Sequence, residues 1–283
     1  MLAFHHSVLP PRLVPGASRF APCRMVEPSI DGQLALWVDE AAQHTDANLL
    51  SDEACTAAED RTRRWVERAL VKSTGLGFCP YTSSSELSAT GLDAFGVQPA
   101  SIFYSACASG EVSGLMADFW IACAGMIAEG EEGVSSVLLS APAWDDAWDD
   151  WYRVVFPLLE QSVEAAGLDR LLGVVCFHPR YATPGDEWLS TQRFGHLHAT
   201  ARLREYLREH DPQLSDATDE ATLAWAGAYQ RRSPHACVNV LWAGQLEIAE
   251  VRRRSSTLYT RNLRTVLRRG RAALERDAAD ERA

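Results

Sequence analysis

The sequence predicts an α/β fold: a small central sheet of three or more strands, crossover helices packed around it, and a long C-terminal helix. Three observations carry that expectation. Helical and extended patterns alternate between residues 52 and 177, which is the order crossover units produce. Leu171 to Phe177 is apolar on both alternating faces, as a strand covered on both sides is, and such strands are usually central. From Ser256 to Glu275, Tyr259, Leu263, Val266 and Leu274 share one side of a helix, while Arg261, Arg264, Arg268 and Arg271 share the other.

Asp52 to Ser73 reads as a helix with Ala58, Trp65, Ala69 and Leu70 on its inner face and Gly75 as its stop. Ser101 to Cys107 is short, apolar and aromatic, as a strand is. Leu115 to Glu129 reads as a helix, and Ser136 to Ser140 as a strand stopped by Pro142. Trp144 to Ala166 is helical in pattern, with Pro157 expected to kink or split it. Residues from about 183 to 228 read as a polar insertion with one helical stretch, Ala199 to His210. Ala236 to Ile248 reads as an apolar helix, with Ser233 as its N-cap and Pro234 at its first position. We therefore expect a leader over residues 1–27 and a single α/β domain over 28–283.

At 283 residues, 47% apolar and 23% charged, the chain can bury a substantial core. The formal charge of −11 argues against binding along a nucleic-acid backbone, which normally needs a basic footprint. No run of about 18 uncharged apolar residues is present, so no membrane span is read. Cysteines at 23, 55, 79, 107, 123, 176 and 237 include no Cys-x-x-Cys pair. Their odd number and irregular spacing fit neither a secreted disulfide framework nor a structural zinc site, and point to a reducing, intracellular location. The first 26 residues carry three arginines and no acidic residue. That composition belongs to an organelle transit peptide, of a plastid for instance, or to a disordered tail of a cytoplasmic protein. Both readings stand.

Three strings concentrate the chemistry: Phe78-Cys79-Pro80-Tyr81, Phe177-His178-Pro179-Arg180-Tyr181 and Arg231-Arg232-Ser233-Pro234-His235. Each places reactive side chains beside a proline that restricts the backbone. Cys176 and His178 share one face of the predicted strand, with His178 at its carboxyl end, where open α/β sheets bind ligands. His178 is thus a candidate general acid or base, and Tyr181 its orienting neighbour. Cys79 is a candidate nucleophile or contact residue. Because it follows a helix C-terminus, it needs a nearby cation to form a thiolate. Arg231, Arg232 and Arg180, with Ser233 and His235 at a helix start, fit an anion site. The run Trp144-Asp145-Asp146-Ala147-Trp148-Asp149 contains Asp-Asp-x-x-Asp, a magnesium-diphosphate pattern, but opens a helix where aspartates favour the dipole, with its tryptophans packing on one face. His196 and His198 alternate in the insertion without a partner at metal spacing and read as surface residues. The arginine stripe of the last helix reads as a solvated face rather than a docking surface.

Together the three strings resemble the domain of unknown function 1415 family, uncharacterised proteins of bacterial and plastid lineage. The family pattern is a helix followed by Leu-Cys-Pro-Phe, then Phe-His-Pro-x-Tyr, then Asn-Arg-Ser-Pro with His-Leu-Leu-Arg downstream. The likeness spans about residues 60 to 250. This chain departs from it with Arg231 at the asparagine, and with Asn239 and Trp242 at the later histidine and arginine. The resemblance implies a shared site and names no reaction and no cofactor.

The leading functional expectation is an enzyme acting on a small anionic molecule, with His178 as acid/base, Arg232 and Ser233 as the clamp, and Cys79 in contact. The alternatives are a non-catalytic ligand-binding or assembly factor of an organelle with a protein partner, and a metal protein using Cys79 and His178.

Overall fold

Ser51 accepts the Ala54 amide at 3.2 Å and starts helix α1 (Asp52–Trp65), whose first turn carries Asp52 and Glu53. The helix runs on through one π-turn, Val66–Leu70, and ends there rather than at Ser73. Gly75 folds the chain back onto this end. A Cβ at Gly75 would lie 2.0 Å from the Arg68 carbonyl oxygen, so nothing larger fits. The expected inner face, Ala58, Trp65, Ala69 and Leu70, is buried. The computed structural model describes residues 49–182, 199–252 and 255–282. The proposed leader at 1–27 and His196 and His198 lie outside them.

Five strands form one sheet in the order β1-β2-β3-β5-β4. They are β1 (Leu87–Ser88), β2 (Ala100–Ala106), β3 (Val134–Ser140), β4 (Leu172–Phe177) and β5 (Cys237–Trp242). Helix α2 (Val112–Glu129) links the parallel pair β2 and β3. Strand β5 runs antiparallel to both β3 and β4, so β2, β3 and β4 all point the same way. The α/β class and its crossovers hold.

Three expectations do not. Strand β4 sits at the edge of the sheet, not at its centre. It is buried at every position because aromatic residues cover both faces, Trp151 over Cys176 and Trp65 edge-on to Phe177 at 5.0 Å. The stretch 236–248 is not one helix either. Its first half is β5, inserted between β3 and β4, and only from Ala243 onward is it helical. Pairing to strands on both sides outweighs helical propensity there, and Trp242 adds an indole hydrogen bond to the Val134 carbonyl at 2.6 Å. Ser233 consequently caps no helix; its hydroxyl donates to the His235 carbonyl at 2.5 Å.

The third correction concerns the helices. The stretch at Trp144 splits at Pro157 as expected, with α3 (Phe156–Ala165) starting there, but what precedes it is a 3-10 turn, a short helix and a π-turn (Trp151–Val155) rather than one helix. Residues 200–229 hold three helices rather than one: α4 (Thr200–His210), α5 (Pro212–Ala217) and α6 (Glu220–Tyr229). Helix α7 (Ala243–Arg252) follows β5 directly. The long terminal helix divides at Gly270, φ 80°, into α8 (Ser255–Arg269) and α9 (Arg271–Arg282). Its arginine stripe is largely engaged within the chain: Arg264 pairs with Asp211 at 2.7 Å and Arg261 binds the Gly77 carbonyl. Among the described residues, α2 alone is long and apolar enough to cross a membrane by length and composition. Its Leu115, Phe119, Ala122, Cys123 and Met126 are buried.

This topology decides where chemistry can gather. The carboxyl ends of β2, β3 and β4 and the amino end of β5 meet at one edge of the sheet. The segments after β3, after β4 and before β5 all emerge there.

Candidate functional site

Two of the three proline-braced strings meet at that edge. The His178 amide donates to the Arg231 carbonyl at 3.1 Å, and Arg232 Nε reaches the Tyr181 carbonyl at 3.4 Å. From the other side, Trp65 of α1 donates its indole N–H to the Arg232 carbonyl at 2.9 Å. These contacts frame a cleft of about 530 Å³ lined by Pro179, Arg180, Arg232, Ser233 and Pro234. Arg68, Tyr229, Asp145 and Asp146 also line it, with Glu275, Glu281 and Arg282 of the terminal helix.

The charges in this cleft are unevenly satisfied. Arg68 makes a two-pronged pair with Glu281, and Arg180 pairs with Asp146. Glu275 pairs with Arg271 at 2.7 Å, and Asp145 accepts from the Ala236 amide at 2.7 Å. All four carboxylates therefore have partners. Arg232 has only the Tyr181 carbonyl, at Nε, and Arg282 pairs with no acid among the described residues. Burial pushes the Arg232 guanidinium below its ordinary pKa, with Glu275 opposing and Arg271 and Arg282 adding repulsion. The cleft holds a partly desolvated cation whose terminal N–H groups have no acceptor among the described residues.

His178 does not face this space. It is fully buried (0% exposed), and both ring nitrogens are used. Nε2–H donates to the Trp144 carbonyl at 3.0 Å, while Nδ1 accepts the Arg180 amide at 3.0 Å. Trp148 and Trp151 pack on the ring at 5.0 and 6.2 Å. Burial lowers its pKa to about 4, against smaller raising effects from Trp144 and Asp145. The imidazole is thus a neutral brace that ties the β3 exit to the β4 exit. Tyr181, also at 0% exposure, packs against Trp148 at 5.0 Å.

Cys79 lies elsewhere. Its string is tied to the end of α1 by Phe78 N–H to Ala69 and Cys79 N–H to Leu70, and to α8 by Asn262 Nδ2 to the Phe78 carbonyl at 3.1 Å. Phe78 packs edge-on to Tyr229 at 6.3 Å, so this corner supports the cleft from behind without lining it. The thiol and imidazole therefore form no catalytic couple facing the cleft. With both His178 nitrogens engaged they cannot share a metal, and among the described residues no cluster of three His, Cys, Asp or Glu is placed for one. Arg231 turns its guanidinium over Phe177 at 5.2 Å instead of joining Arg232.

The acidic run also disperses. Asp145 pairs with His235, Asp146 with Arg180 and Asp149 with Arg153, which leaves no diphosphate-magnesium arrangement. Sequence reasoning read Asp145 only as part of the acidic run, and singled out none of Arg68, Tyr229, Glu281 and Arg282 of the cleft. The 90-residue separation of Asp145 from His235 offers no local signal, and only the adjacency of β3 and β5 brings the two together.

Residues 57–196 match the family model described as protein of unknown function (DUF1415). The chain belongs to this family. The DUF1415 match takes in the Cys79 and His178 strings and ends before the Arg232 string. No curated protein and no solved structure matches the chain. The family description assigns no activity, so the reading of this DUF1415 protein rests on its own side chains.

Proposed function

We propose that this chain binds a small anionic molecule, a carboxylate or phosphate compound, in the cleft between the β4 exit and the terminal helix. The observation that carries the reading is the Arg232 fork, partly desolvated and without an acidic partner among the described residues, in a cleft whose lining carboxylates are all engaged. A planar guanidinium gains most from two-pronged contact with carboxylate or phosphate oxygens. Arg282 supplies a second, exposed cation at the rim. An anion there would offset the repulsion that Arg232 feels from Arg271 and Arg282.

The test is calorimetric titration with citrate and with pyrophosphate, chosen to present carboxylate and phosphate separately. One of the two should bind, and Arg232→Gln should weaken it about 10- to 100-fold, the worth of a charge-assisted pair. Equal binding by wild type and variant, or none to either ligand, would remove the proposal. The sealed His178 favours binding over turnover within the cleft itself, since the group expected to move a proton has no free nitrogen.

A further inference from the structure

We propose a second site, on the other side of the Asp145–His235 pair, in which His235 acts as a general base toward a small, largely apolar molecule bearing a hydroxyl group. His235 Nδ1 lies 2.8 Å from Asp145 Oδ2, and the other oxygen of that carboxylate is fixed by the Ala236 amide at 2.7 Å. An ionised carboxylate only accepts, so Nδ1 carries a proton toward Asp145, and in the neutral ring the lone pair is then at Nε2. That Nε2 is buried and has no hydrogen-bond partner, and the side chain as a whole is only 7% exposed. A buried polar atom left unpaired is costly, which makes an unfilled acceptor here a feature needing a partner.

The space for that partner is present. His235 lines a cavity of about 400 Å³ with apolar walls from Leu50, Ala54, Ala57, Ala58 and Pro142, and with Ser51, Glu53 and Arg61 as its other polar lining. The walls suit an apolar body, and Nε2 supplies an acceptor for a hydroxyl donor. Ser51 lines the same cavity, but its hydroxyl caps α1 at Ala54 and makes no bond to His235. Ser51 is therefore not the partner of Nε2, and the acceptor is left for a bound molecule.

The step balances within the site. The ligand O–H bond breaks, an N–H bond forms at Nε2, and the bonding pair stays on the ligand oxygen. The resulting imidazolium is countered by Asp145, as in other histidine–carboxylate pairs. Arg61 has no acidic partner among the described residues and is the cation available to the developing oxyanion. Asp145 is a positioning residue, since it acts through His235.

Ring-15N NMR of the full chain tests this with phenol as probe. In the free protein, the His235 Nε2 resonance should show the unprotonated form, and phenol should move it in a saturable way. Ala57→Phe, which fills the cavity, should abolish that shift. Diethyl pyrocarbonate should acylate His235 about tenfold or more faster than His178, whose nitrogens are both engaged, and Asp145→Asn should slow the His235 reaction. A protonated Nε2 in the free protein, a phenol response absent or indifferent to Ala57→Phe, or acylation of His235 no faster than of His178 would each overturn the proposal. Citrate or pyrophosphate binding at Arg232 is a separate readout, so failure here leaves the anion reading intact and the reverse also holds.

Discussion

His178 shows how one residue's surroundings can reverse the role its position suggests. Its pKa is lowered to about 4 by burial, below the ordinary value of 6.5. The folded state thus favours the neutral ring, and the stability this gives is complete above pH 6.5 and is lost as pH falls toward 4. The loss should reach about 3 kcal/mol. Urea unfolding from pH 7 to 4 should show this excess loss in wild type and not in His178→Gln; parallel curves for the two proteins would contradict it. Glu160 works in the opposite sense. Burial raises its pKa to about 8, so its contribution is present at low pH and declines as pH rises through 8. Glu160→Gln should accordingly be more stable than wild type at pH 9, with the gap narrowing toward pH 5.

At the level of elements, the turn after α1 is the most constrained joint. Gly75 packs against the last carbonyls of the π-turn, where any Cβ would lie 2.0 Å from the Arg68 oxygen and 2.7 Å from the Glu67 oxygen. Gly75→Ala should cost about 2 kcal/mol or more and lower the melting temperature, because backbone rather than a yielding side chain is met. Strand β5 explains the clearest misreading. Ala236 to Ile248 is apolar for most of its length, so a periodicity of two over Cys237–Trp242 is hidden inside a longer run compatible with a helix. Its insertion between β3 and β4 is a long-range choice that no local pattern reports.

For the whole molecule, the cleft exists because distant elements close on it. Arg68 of the first helical segment and Glu281 of α9 form a two-pronged pair, and Tyr229 of α6 donates to the Leu274 carbonyl at 3.1 Å. Glu281→Gln leaves the Arg68 charge poorly compensated and should destabilise by about 3 kcal/mol. Hydrogen exchange should then accelerate first in α9, and anion affinity at Arg232 should fall although no residue expected to touch the ligand has changed. Unaltered exchange in α9 would show that the pair does not hold that wall.

The alternation of helix and strand through residue 177 and the inner face of α1 were legible in the chain, because they follow from local periodicity; of the three proline corners expected at one site, two meet and the Cys79 corner lies apart. Partnership was not legible. Whether a histidine is a base or a brace depends on which carbonyls and amides reach its nitrogens, and the answers for His178 and His235 are opposite. The same holds for the arginines, where Arg68 is neutralised by an acid 213 residues away while Arg232 has no acidic partner among the described residues. Side-chain chemistry is written residue by residue, but desolvation and pairing are properties of neighbours, and neighbours are set only when β5 slides between β3 and β4.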